Sequence, residues 1–254
     1  MSNFRHPDRT VQIRSFAVTF QSGQAAPPAL HDSHEWHQLI YAIRGVLTVH
    51  TDAGSWVVPP HRGVWIPAGF RYRLEFSGIV ALRMLYVRER LHRAAKLCSV
   101  VNITPLLREL IVRTNLIGAL DAAIPEHKRL IGVILDELKM LKVVPLQLPS
   151  PRDRRAAKFA AMSSADHAEK IPLAKMLRQC GASRRTLERT FRAETGMTLG
   201  QWMRRQKLLQ ALRRLAAGEC VNTISLDMGY NGASAFIAMF RRELGQTPKR
   251  YFET

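Results

Sequence analysis

Two stretches decide how the C-terminal part of the chain folds: GASRRTLERTFRAETGMTLGQW at residues 181–202, and LDMGYNGASAFIAMFRRELGQTPKRYF at residues 226–252. Taken with the preceding LAKMLRQC, the first predicts a short helix, a turn at Gly181, Ser183 as N-cap, and a second helix with Leu187 and Phe191 four apart on one face. Residues 221–240, VNTISLDMGYNGASAFIAMF, repeat the plan with Gly229 at the turn and Phe236 and Phe240 on the apolar face. Between the two units, Thr198 and Gln201 have the spacing of a capping box, and the helix they open runs to about Ala217. A helix of that length spans roughly 30 Å, close to the approximately 34 Å of one turn of duplex DNA. The pattern predicts an all-α domain over residues 154–254, with two helix-turn-helix units joined by a long helix that can present them to successive major grooves.

The side chains left outside carry the chemistry. Burial of Leu187 and Phe191 turns Arg185, Glu188, Arg189 and Arg192 outward, where guanidinium groups can grip guanine edges and a carboxylate can accept from cytosine. The second unit offers Asn231, Ser234, Ala238 and Arg241, a set better suited to shape fitting and phosphate contact than to base discrimination. Candidate base contacts are therefore Arg185, Glu188, Arg189, Asn231 and Ser234. Candidate phosphate contacts are Arg184, Arg192, Arg204, Arg205, Lys207, Arg241 and Arg242, with Lys249 and Arg250 near the end; Trp202 reads as core. Each basic side chain taken alone is also what a solvated helix face would show.

Composition agrees with a polyanionic partner. Lys and Arg number 38 against 20 Asp and Glu in 254 residues, a formal charge of +18, and 46% hydrophobic residues rule out a disordered basic tail. The excess is +7 up to residue 150 and +11 in the shorter remainder. Cys98, Cys180 and Cys220 are far apart and lack the paired spacing of zinc or redox sites, as expected in a reducing compartment. The polar start MSNFRHPDRT and the lack of any run of about eighteen apolar residues lead to the expectation of a cytoplasmic protein without a membrane contact.

Upstream, residues 10–90 read as short strands. VQIRSFAVTF, LIYAIRGVLTVH, SWVVPP, GVWIPAG and RYRLEFSGIVALRMLYV are rich in β-branched and aromatic residues and are punctuated by Gly and Pro, which suggests a small antiparallel barrel or sandwich. Over residues 91–142 the period lengthens: Leu107, Leu110, Ile111 and then Leu130, Ile131, Ile134, Leu135 and Leu138 recur at three and four residues. Two or more amphipathic helices there either close the β-domain or form a dimer seam, so a homodimer stays open. Residues 143–153, with Pro145, Pro149 and Pro151, read as an extended linker.

The two quoted C-terminal blocks and their separation resemble the DNA-binding domain of the AraC/XylS family of bacterial transcription regulators, over about 100 residues. HDSHEWHQLIYAIRG and WVVPPHRGVWIPAGFRYRLEF resemble the cupin-type effector domain that precedes it in one subgroup, which implies a jelly-roll barrel. The fold expectation is thus α+β: a cupin-like antiparallel β-barrel, helices, then the double helix-turn-helix domain. The resemblance implies base contacts on the outer face of each second helix, here Arg185, Glu188, Arg189, Ser234 and Ala238. Many relatives carry arginine where this chain has Ala238. It also implies a sequence-specific regulator, activator or repressor, that answers to a small-molecule effector, contacts RNA polymerase if it activates, and controls a neighbouring efflux transporter gene.

Within the β-domain, His34, Trp36, Gln38, Trp65 and Tyr72 are candidate pocket residues, since aromatic walls with a few polar groups suit a small, partly aromatic ligand. His31, His34 and His37 are weak metal candidates. Strand alternation separates His34 from Glu35 and His37, and the chain has Asp32-x-His34 and Tyr72 where a metal-binding cupin has its histidines. No Ser-His-Asp set, Gly-rich phosphate loop or carboxylate pair stands out, so neither enzymatic activity nor a cofactor is expected. Two rivals remain: a cupin metalloenzyme, dioxygenase or isomerase, with a basic tail, and a constitutive architectural DNA-binding protein.

Overall fold

The computed structural model describes residues 10–26, 35–92, 97–144, 146–164 and 171–253. The chain divides into two compact units, one made of residues up to Thr51 with Trp56–Gln147, the other of Asp52–Ser55 with Leu148 onward.

The first unit is built on one antiparallel network. Its strands are β1 (Val11–Gln21), β2 (Trp36–Thr51), β3 (Gly54–Val58), β4 (Arg62–Ile66), β5 (Arg73–Arg88), β6 (Ser99–Asn102), β7 (Ala119–Asp121), β8 (Val143–Val144) and β9 (Gln147–Pro149). The order is β7-β1-β5-β2-β4-β6-β8, with β3 on β2 and β9 on β3. The long pair β2 and β5 runs in register from Trp36 opposite Arg88 to His50 opposite Arg73, broken twice between Ala42 and Val46. Gly45 sits at that break with φ 74°, and a Cβ there would lie 2.4 Å from the Ile79 carbonyl oxygen, so the strand can bend only with glycine at this point.

Two helices cover one face of the sheet. Thr104 caps α1 (Pro105–Ile117) by accepting from the Leu107 amide at 3.0 Å, with Pro105 in the first turn, where its missing N–H costs nothing. The hydroxyl of Thr104 also donates to Glu137 of α2 (Pro125–Lys139), tying the start of α1 to the end of α2. Leu107 and Ile111 of α1 and Ile131, Ile134 and Leu138 of α2 pack on Ile13, Leu39, Tyr41, Trp65, Leu85 and Val87 of the sheet. Because side chains alternate along a strand, Gln38 on β2 and Tyr86 on β5 point to the opposite face. An antiparallel sheet followed by helices is the architecture expected. The period-3.6 reading of residues 91–142 missed β6 and β7, each too short to show alternation. Residues 143–144 and 147–149 are extended, as their prolines suggest, and lie in ladders of the sheet.

The second unit is helical apart from its few residues in β3 and β9: α3 (Arg154–Ser164), α4 (Leu173–Cys180), α5 (Arg184–Thr195), α6 (Leu199–Ala216), α7 (Val221–Asp227), α8 (Ala233–Leu244) and α9 (Pro248–Glu253). Its first core is aromatic: Phe159 meets Phe191 edge-on at 5.9 Å, and Phe191 meets Trp202 at 5.1 Å. The Trp202 indole N–H donates to the Pro149 carbonyl at 2.8 Å, which makes it a core residue as expected. A second core joins Phe236, Phe240, Tyr230 and Tyr251. Among the described residues no helix is long and apolar enough to cross a membrane.

Candidate DNA interface and effector pocket

The first helix-turn-helix closes as its turn residues dictate. Gly181 ends α4 in the left-handed region, φ 66°, and the Ala182 amide reaches back to the Leu177 carbonyl. Ser183 accepts from the Thr186 amide at 3.1 Å and opens α5. Leu187 and Phe191 are fully buried, which leaves Arg184, Arg185, Arg189 and Arg192 exposed on the outer side of α5. By helical period Arg185, Arg189 and Arg192 share the face opposite Leu187 and Phe191, whereas Arg184 stands at the start of α5 beside Glu188. Glu188 differs from its expected part: its carboxylate accepts from the Leu199 amide at 3.3 Å, at the positive start of α6, and lies 3.8 Å from Arg184. It thereby links α5 to α6 within the fold.

The connector α6 has both halves of the capping box, Thr198 accepting from Gln201 at 3.2 Å and Gln201 returning the bond at 2.9 Å. Its 18 residues are about 27 Å long. Arg204 is exposed and Arg205 half-buried. Lys207 is a correction: its ammonium donates to the Met228 carbonyl at 2.9 Å, capping the end of α7, and so is committed within the fold. Farther along, Arg214 bridges Glu219 at 2.6 Å and Asp227 at 2.5 Å, binding the end of α6 to the last turn of α7. Its guanidinium is held more basic than usual, first by the Glu219 hydrogen bond. The chain pattern gave no hint of Arg214, Asp227 or Glu219, because an ion cluster across a helix bend leaves no periodicity.

The second unit is plainer. α8 starts at Gly232 with no side-chain cap, while Phe236 and Phe240 are fully buried. Asn231, Ser234, Ala238, Arg241 and Arg242 are exposed, as are Lys249 and Arg250. Ser234, Ile237, Ala238, Arg241, Arg242 and Thr247 line a shallow hollow of about 660 Å³ on this side.

In the first unit the structure splits the expected pocket. Trp65 joins the core under α1 and α2, where its indole N–H is buried without a hydrogen-bond partner among the described residues. That corrects its assignment: it shares a face with His37, ring centroids 5.2 Å apart, not with Gln38. His37 is also corrected as a metal ligand. Nδ1 accepts from the Ala68 amide and Nε2–H donates to the His92 carbonyl, both at 2.9 Å, so neither ring nitrogen is left for a cation. His31 and His34 lie outside the described residues.

Gln38 and Tyr72 remain together on the opposite face. The tyrosine hydroxyl donates to Oε1 of the Gln38 side chain, and burial pushes the phenol well above its usual range, so it stays a donor. Burial likewise pushes the Cys98 thiol up to about 12. At the same end Trp36 is stacked by two guanidiniums, Arg14 at 4.9 Å and Arg88 at 4.4 Å, and Arg88 pairs with Glu35 at 2.7 Å. Burial, and then the neighbouring Arg88, lower the basicity of Arg14. Phe16 and Tyr86 stack beside them at 5.3 Å. Sequence reading missed Arg14, Arg88 and Tyr86, which only the β1-β5-β2 register brings to Trp36 and Gln38.

Comparison with known proteins accounts for both units. A Helix-turn-helix domain matches residues 176–254, and an AraC-like ligand binding domain matches residues 21–124. The HTH-type transcriptional regulator NimR of Escherichia coli is 32% identical over 250 residues, 98% of this chain and 91% of its own length. The chain belongs to the AraC family of transcriptional regulators. The regulatory protein SoxS of Salmonella typhimurium is 37% identical over 75 residues, 29% of this chain and 70% of its own. Among solved structures, ToxT of Vibrio cholerae covers 95% of this chain and 98% of its own, at 10% identity and a TM-score of 0.38. This AraC-family regulator therefore pairs a ligand-binding domain with a DNA-binding helix-turn-helix domain, and its relatives are regulators of transcription.

Proposed function

We propose that this regulator recognises a specific operator through α5 and answers to a small planar effector held by its β-domain. The observation that carries the reading is the outer face of α5, where Arg185 and Arg189 stand exposed on a helix fixed by the Ser183 cap, Leu187 and Phe191. Arg185 and Arg189 supply base contacts, and Arg184, Arg192, Arg204, Arg205, Arg241 and Arg242 hold phosphates. Asn231, Ser234 and Ala238 fit the second groove by shape. Trp36, Gln38 and Tyr72, together with Arg14 and Arg88, form the effector site, which favours an aromatic ligand bearing an acceptor or a negative charge. The regulator acts in the cytoplasm, beside the efflux transporter gene it controls, and touches RNA polymerase if it activates. The identity of NimR over nearly the whole chain supports a regulator over a metalloenzyme.

The test is recovery of fragmented genomic DNA by purified wild-type protein at physiological salt, with Arg189→Ala in parallel. Enrichment of a few sites that the variant loses is expected, with a cost of about 1–3 kcal/mol on the preferred site and non-specific affinity spared. Uniform recovery by both proteins would leave an architectural DNA-binding protein in place of an operator-specific one.

A further inference from the structure

The proposed reading helices α5 and α8 share one plan, and what differs between them falls on the outward face. Leu187 and Phe191 of α5 and Phe236 and Phe240 of α8 are fully buried, each pair four residues apart, so the helices correspond at a constant offset of 49 positions. That offset carries Ser183, the cap of α5, to Gly232 before α8, and Arg192 to Arg241. It also carries Arg185 to Ser234, Thr186 to Ala235 and Arg189 to Ala238. Ser234, Ala235, Ala238 and Arg241 are all exposed. α8 thus keeps the arginine of its last turns, while its first turns present a hydroxymethyl and two methyl groups where α5 presents two guanidiniums.

A methyl group neither donates nor accepts a hydrogen bond. Laid against a base edge in the major groove, it strips water from the amino group of cytosine or adenine, or from the oxygen of guanine, and leaves that group unpaired, which is unfavourable. One group on those edges is itself apolar, the C5 methyl of thymine, and burying it against another methyl is favourable. Ala238 stands at the crest of α8, opposite the midpoint between Phe236 and Phe240. Beside it, half-buried Ile237 adds an apolar wall to the hollow that Ala238 helps to line. Arg241 and Arg242 follow Ala238 by three and four residues, close enough to take the phosphates flanking such a base.

We propose that α8 reads 5-methylpyrimidines: Ala238, with Ala235 and the Cβ of Ser234 beside it, packs on the C5 methyl of thymine and sets the base preference of the second half of the operator. Resting on the operator reading above, this adds the base, the chemical group contacted and the residue that reads it. Ala238 has nothing with which to test the oxygen or amino group next to that methyl, so 5-methylcytosine should serve in place of thymine.

The full-length protein tests this by selection from a randomised duplex library copied once with dTTP and once with dUTP, since uracil differs from thymine only in lacking the methyl. From the thymine library, wild type should draw a two-part motif, with guanine where α5 docks and thymine where α8 docks; Arg189→Ala identifies the α5 part by losing it. On the selected duplex, uracil for thymine in the α8 part should weaken binding about fourfold for each methyl lost. Cytosine there should also weaken it, and 5-methylcytosine should restore most of the loss. Ala238→Arg should abolish the preference for thymine over uracil and select guanine at that base pair, with circular dichroism equal to wild type showing an intact fold. Equal affinity of wild type for thymine and uracil duplexes, or a thymine preference that survives Ala238→Arg, would overturn the proposal while leaving the operator in place. Failure to enrich any motif from either library would instead remove the operator reading, and this proposal with it.

Discussion

Phe236→Ala should melt the second helix-turn-helix while the first survives. The ring is fully buried, 5.9 Å from Phe240 and 5.7 Å from Tyr230, and Phe240 continues the stack to Tyr251 on α9. Removing a buried phenylalanine costs about 3–5 kcal/mol, cavity included. Against a domain stability of roughly 5–15 kcal/mol, that is a large share of what keeps the unit folded. At about 4–8 °C per kcal/mol for a unit of this size, the midpoint of the helical unit should fall by roughly 12–40 °C. Scanning calorimetry of the full chain reads this as a downward shift of one transition, with the β-domain transition left in place. Phe236→Leu should recover much of the loss. A midpoint within a few degrees of wild type for the alanine variant would show that Phe236 does not hold the second core, and the facing of α8 would have to be rebuilt.

Lys207→Met and Arg204→Ala should part company in a salt titration of DNA binding. Arg204 is exposed on the connector and its loss should reduce the slope of log K against log salt by about one, whereas Lys207→Met should leave the slope alone and lower the melting midpoint, since its ammonium caps α7. The β-domain should lose stability in mild acid. Burial, then His37 and Lys139, lower the His92 pKa, so the folded state binds fewer protons than the unfolded one. Its contribution is complete above the unfolded value near 6.5 and is lost as pH falls from there towards the folded value. Chemical denaturation of wild type and His92→Gln between pH 5 and 8 reads this, and the variant should show the shallower dependence on this account. Equal slopes would assign the acid sensitivity to another group.

The parts of the fold legible in the sequence were those governed by local rules. Ser183, Gly181, Thr198 and Gln201 act within a turn of their own positions, and Leu187, Phe191, Phe236 and Phe240 declare a helix period, so the C-terminal unit could be drawn before it was seen. The β-domain showed its strands but not their partners. Which residues share a face depends on register, and the irregular stretch of β2 between Ala42 and Val46 shifts register without any signal beyond Gly45. Trp65 and Gln38 part company because β4 pairs with β2 so that Trp65 stands opposite Leu39, and Arg14 and Arg88, remote in sequence from Trp36, reach it only through the β1-β5-β2 ladders. Glu188 and Lys207 were misread for a related reason. A charged side chain on a helix looks the same in a sequence whether it meets solvent or an adjoining helix end, and only the packing of α5, α6 and α7 distinguishes the two.

The fastenings at both ends of α6 bear on how operators for this protein are built. Glu188 holds its first residue, and Lys207 and Arg214 hold α7 against its later turns. With α5 and α8 as the proposed reading helices, the connector would set their spacing on the duplex as a ruler does. Inserting about five base pairs, half a helical turn, between the segments met by α5 and α8 would swing one of them to the far side of the DNA. Restoring a full turn with about ten would bring it back to the same side but out of reach. Natural sites should therefore tolerate base changes under α8 far better than any change in spacing, and a search for them that allowed gaps would gather mostly false ones.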